Sequence, residues 1–92
     1  MYAEASEALE ALAPVVEQLE RQGASIACCF VELNEDHLFE ATVHIAPNLV
    51  PDGLKVSAEA SKWFHNVWRY SVEVMGVEVY WLSSDKPKGA RG

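Results

Sequence analysis

Basic residues are scarce in this sequence: seven Lys and Arg stand against 14 Asp and Glu, a formal net charge of −7 over 92 residues. Such an excess of acid opposes direct nucleic-acid binding, because phosphate backbones recruit protein mainly through Lys and Arg. Glycine is sparse too, and the five present are scattered, so no phosphate-cradling loop is expected. No apolar run approaches the roughly 20 residues a membrane-spanning helix needs. Glu4, Glu7 and Glu10 stand where a secretion signal would be basic, so no signal and no membrane partner are expected. The only cysteines are the neighbours Cys28 and Cys29. Adjacent residues on a strand point to opposite faces, so the two thiols cannot converge on one metal. A bond between them would close a strained small ring instead of a long loop. Both are expected to act as small buried hydrophobes in a reducing, cytoplasmic setting (the host cytoplasm for a phage-encoded chain).

What is present is a globular composition, 50% apolar and 23% charged, sized for one domain at residues 1–83. Residues 3–22 read as an amphipathic helix. Ala5, Ala8, Leu9, Leu12, Val15, Val16 and Leu19 share one arc, with Glu4, Glu7, Glu10, Glu17 and Glu20 opposite. Pro14 lies on the polar side, where a bend is expected, and Gly23 supplies the stop. Residues 25–33 and 38–46 read as two strands joined through Asn34-Glu35-Asp36-His37. Alternation predicts a core face of Ile26, Cys28, Phe30, Phe39, Ala41, Val43 and Ile45.

Residues 47–56 carry two prolines and a Pro-Asp-Gly turn, and read as a loop. Ser57 then suits the cap of a second helix, in which Ala60, Phe64, Val67, Trp68, Ser71, Val72 and Met75 recur at helical spacing until Gly76. A competing reading ends that helix near Trp68 and makes a hairpin around Met75-Gly76. Residues 77–82 form a last strand, and the tail 84–92, which lacks an apolar anchor, is expected to be disordered.

The expected fold is therefore α+β, in the order α-β-β-α-β. A three-stranded, mainly antiparallel sheet would carry two helices packed on one face. The preferred strand order is second, first, third, with a mixed sheet ordered first, second, third as the alternative. This arrangement resembles a ferredoxin-like βαββαβ unit lacking its first strand, a likeness of architecture that implies no function.

Chemistry finds little purchase in the sequence. His37, His44 and His65 fall in a hairpin loop, on the open sheet face and on the polar side of the second helix, without ligand spacing. His44 stands out because Glu40 and Thr42 share its face. No Gly-x-Ser-x-Gly turn is present, so neither an enzyme nor a cofactor is expected. Trp68 and Trp81 have core assignments, which leaves Trp63 alone as a candidate stacking platform.

Two features rise above this background. Two helices cover one sheet face only, leaving Cys29, Val31, Leu33, Leu38, Tyr80 and Leu82 open unless the 47–56 loop folds across them. The charge is also one-sided. Residues 1–46 hold nine acids against Arg21 alone, whereas residues 47–92 hold five acids and six bases. Together these features predict a small, acidic, non-enzymatic protein-binding module that docks on a basic, nucleic-acid-binding surface of a larger protein. That is the manner of an immunity protein, a nucleic-acid mimic or a phage anti-defence inhibitor of the anti-CRISPR type. The expected contacts are Glu7, Glu10, Glu17, Glu35, Asp36, Glu40 and Tyr80. The alternative is a homodimeric adaptor or chaperone-like subunit joined through the open sheet face.

Overall fold

The computed structural model describes residues 1–87; the end of the expected tail, residues 88–92, lies outside the described residues. One long helix, α1 (Ala5–Arg21), is followed by strands β1 (Ile26–Leu33) and β2 (Phe39–Ile45). A 3-10 turn (Pro47–Leu49) and a short helix α2 (Asp52–Ser57) then lead into β3 (Glu59–Phe64), β4 (Val67–Val74) and β5 (Val77–Ser83). The five strands form a single mixed sheet in the order β1-β2-β5-β4-β3. All neighbours are antiparallel except β2 and β5, which run parallel through Thr42–Glu78, Val43–Val79 and His44–Tyr80. The expected three-stranded sheet with two helices is thus replaced by five strands and one long helix, and the ferredoxin-like comparison falls with it.

The second expected helix, residues 57–75, is a hairpin. That stretch satisfies two periodicities at once: its apolar residues fit a helical stripe, yet Trp68, Tyr70, Val72 and Val74 also alternate. Side chains of this kind, β-branched and aromatic, favour a pleated surface, and tertiary pairing settles the choice. Met75 and Gly76 both take positive φ, 49° and 79°, the geometry of a two-residue turn that matches strand twist. The turn sets Val74 opposite Val77 and β4 along the whole of β5. Ser57 closes α2 instead of capping a longer helix. Among the three strands foreseen, the alternative order of first, second, third is the one present, with β5 beside β2.

α1 lies across β1 and β2, burying Ala8, Leu12, Val15 and Leu19. These meet Ala41, Val43 and Ile45 of β2 and Val77, Val79 and Trp81 of β5. Pro14 sits exposed inside a helix that continues through it. The chain leaving β2 crosses the same sheet face beyond the helix, tucking Val50 into the core and packing Leu54 against it. Val50 and Leu54 thus put the 47–56 segment on the helix side and not the open side, while Leu49 and Val56 stay exposed. The shortest dimension, 19 Å, leaves room for the sheet and one layer above it.

A register irregularity between Ile26 and Cys28 reverses the facing of β1. Such a bulge inserts one residue and flips every side chain beyond it. Cys29, Val31 and Leu33 now stand across from Val43, Ala41 and Phe39 on the helix side, while Cys28 and Phe30 stand across from His44 and Thr42 on the other. The expected core positions Cys28 and Phe30, and the expected open positions Cys29, Val31 and Leu33, are therefore exchanged.

Candidate binding face

The face left bare by α1 and the crossover is polar, aromatic and acidic. Its order follows from the strand registers. One row runs through Cys28, His44, Tyr80, Ser71 and Glu59, crossing all five strands. The next holds Phe30, Thr42, Glu78 and Glu73, and at the β1–β2 end Glu32 stands across from Glu40. On the other flank Leu82 stands across from Arg69, and Arg69 across from Ser61.

Two pairs on this face oppose carboxylate to carboxylate, Glu32 to Glu40 and Glu73 to Glu78. Like charges directly across a strand pair are destabilising. Five glutamates (Glu32, Glu40, Glu59, Glu73 and Glu78) share the face with a single base, Arg69, among the described residues. Arg69 reaches over the Tyr80 ring, 4.4 Å from its centroid, and forms an ion pair with Glu78. The other side-chain charges are left to solvent. Glu40, Glu59, Glu73 and Glu78, with Ser57 and Ser71, line a hollow of about 580 Å³ at the end of the sheet where Met1 and Gly76 lie.

The centre of the face is a stack. The His44 ring lies on Tyr80 at 4.5 Å and 12°, and Cys28 Sγ is 3.9 Å from His44 Nδ1. Burial, and then the Arg69 guanidinium, push the imidazole pKa down from its usual 6.5, so His44 is neutral at pH 7. Burial raises the Tyr80 phenol, with the Cys28 charge adding to it. Thr42, beside the stack, is buried with no unsatisfied polar atom.

The residues expected to contact a partner divide between two sides. Glu40 and Tyr80 fall on this face. Glu7, Glu10 and Glu17 lie on the exposed side of α1, behind the sheet, where no ligand on the open face reaches them. Glu35 and Asp36 are exposed in the β1–β2 turn, held by Asn34 Oδ1, which accepts from the backbone N–H groups of Asp36 and Leu38 at 2.9 and 3.0 Å. His37 occupies that turn, as expected, and takes φ 60° there. His65 sits in the β3–β4 turn instead of on a helix, beside the exposed Trp63 and Phe64. Glu32, Glu59, Glu73, Glu78 and Arg69 were not foreseen as site residues. The signal for Arg69 and Glu73 was their alternation, with Ser71, against Tyr70 and Val72, which the helical reading masked; Glu78 lay between Val77 and Val79 on a strand already read.

The fold and this face define an α+β domain with one sheet side packed and the other bare. No protein-family model matches the chain, and no match is found among the curated proteins or the solved structures. No group of three or more metal-ligating side chains occurs among the described residues. Nor is any helix there long and apolar enough to cross a membrane.

Proposed function

We propose that the chain is a non-enzymatic cytoplasmic protein-binding module that docks its bare sheet face on a basic surface of a larger protein, in the manner of an acidic inhibitor. The observation that carries this reading is the pair of opposed glutamates, Glu32–Glu40 and Glu73–Glu78, on a face with one base already engaged. Placing like charges across a ladder sacrifices stability, and a cationic partner converts that repulsion into attraction. The hollow lined by Glu40, Glu59, Glu73 and Glu78 admits a Lys or Arg side chain, and Phe30 supplies apolar contact on the same face. A nucleic-acid-binding groove is the partner surface of matching charge.

A homodimer through the same face would set five glutamates against five, and three residues of the open apolar patch that suggested it, Cys29, Val31 and Leu33, are turned to the helix side. The test is capture of partners from source-cell lysate on the tagged protein, eluted in rising salt. A stoichiometric partner should be released by salt and weakened at least about tenfold by the double change Glu40→Lys/Glu73→Lys, whereas Glu10→Lys/Glu17→Lys leaves it bound. Equal loss from both pairs would refute docking through the sheet face.

A further inference from the structure

The two ends of β4 carry complementary surfaces. At the turn between β3 and β4, Trp63 and Phe64 stand 60% and 68% exposed, which large aromatic side chains rarely do. A register irregularity between Lys62 and Phe64 leaves Trp63 outside the ladder, and Asn66 takes φ 58° in the turn that follows. Lys62, beside them, is exposed and has no ion-pair partner among the described residues. At the other end, where Gly76 turns β4 into β5, lies the hollow lined by Glu40, Glu59, Glu73 and Glu78, with no Lys or Arg in its wall. Its apolar rim is exposed as well: Met1 lines it, and Val56 and Met75 adjoin the lining residues Ser57 and Gly76 in sequence. Five of the eight exposed large hydrophobics among the described residues thus gather at these two ends. Exposed apolar residues scattered singly need no explanation, but residues gathered beside charge mark an interaction surface.

We propose that the β3–β4 tip of one copy docks in the hollow of the next, giving a head-to-tail assembly of this chain. Lys62 enters among the glutamates, while Trp63 and Phe64 cover Met1, Val56 and Met75, thioether against ring. The eight residues of β4, roughly 25 Å of strand, separate tip from hollow, so a chain cannot fill its own. A second copy is the occupant because its tip carries both complements of the hollow, a base without a partner and exposed apolar rings. Two chains of net charge −7 repel at a distance, but that repulsion is screened beyond about 8 Å at physiological ionic strength, leaving the local attraction. Tip and hollow are different surfaces, so the contact is heterologous, and each open chain of copies keeps one tip and one hollow unfilled. A hollow holding a neighbour's Lys62 is closed to a basic partner, so assembly and docking compete. That competition rests on the docking reading above, whereas the assembly does not.

The assembly is tested with the purified chain alone. Sedimentation from about 1 µM to about 1 mM, the range of weak specific contacts, should show dimers and then longer species. Trp63→Ser/Phe64→Ser removes the tip and keeps the hollow, and Glu59→Gln/Glu73→Gln does the reverse. All four side chains are exposed, so both variants should fold with nearly the native Tm. Each alone should stay monomeric at the highest concentration. Mixed in equal amounts, they should form a pair of one each and nothing larger, because one intact tip meets one intact hollow. Lys62→Ala should weaken native association about tenfold. A native chain that stays monomeric throughout, a tip variant that still associates, or a mixture that fails to pair would each overturn the proposal. Partner capture should survive in the tip variant, whose hollow is intact. Capture lost there, with the mixture still pairing, would move the docking reading off the hollow and leave the assembly standing.

Discussion

The two sides of the sheet are made from the same strands and obey opposite rules. On the helix side, Val43, Ile45, Val77 and Val79 are fully buried under α1, and shape decides what is tolerated. On the bare side the same strands carry His44, Glu78 and Tyr80, and charge decides. One side stores stability, and the other gives some of it up by opposing glutamate to glutamate. Alternation along a strand makes this division available within a chain of 92 residues.

The contrast can be broken most severely from the packed side. Leu19→Ala removes a fully buried side chain from the helix–sheet contact and should cost about 2–5 kcal/mol, lowering Tm by more than about 8 °C in thermal denaturation. A loss below about 1 kcal/mol would mean that α1 is not docked as described. On the bare side the sign reverses. Glu73→Thr relieves the opposition to Glu78 and should raise stability by up to about 1 kcal/mol, read by urea unfolding, while weakening partner capture. A smaller effect, specific to His44, depends on pH. Its folded pKa lies below 6.5, so the unfolded chain takes up the proton first, and stability is lost as pH falls from 6.5 toward the folded value. The Tm difference between the native protein and His44→Gln should therefore change between pH 7.5 and 5.5, and a constant difference would remove His44 as the source. Smallest of all, Glu10→Lys on the outer helix face should shift stability by no more than about 0.5 kcal/mol.

How far the sequence revealed this arrangement depends on how many patterns each segment allowed. Residues 5–21 admit only a helical stripe, and the helix is present. The β1–β2 hairpin was legible from Asn34 and the alternation of β2. The facing of β1 was not, because its residues are apolar at nearly every position and only the bulge decides which side they take. Residues 57–75 satisfied helix and strand equally, and what separates the two is the partner strand β5, which sequence spacing does not display. The site inherited that ambiguity. Glu40, His44 and Tyr80 lie on securely read strands and were seen, whereas Arg69 and Glu73 vanished into a helix that does not form.

The parallel seam between β2 and β5 has a consequence for how the chain assembles. Helix, β1 and β2 come together through short connections, as do β3, β4 and β5. The two groups meet where Thr42 to His44 pair with Glu78 to Tyr80, and where α1 and Val50 pack against Val77, Val79 and Trp81. Local hairpins close quickly, while a pairing that spans the crossover must wait for a long loop to shut. The seam pairs residues far apart in the chain, so it is expected to close after the hairpins. A chain cut at the exposed Val56 would separate into two pieces, each holding its own turns, and their reunion would rebuild the seam and the whole of the bare face at once.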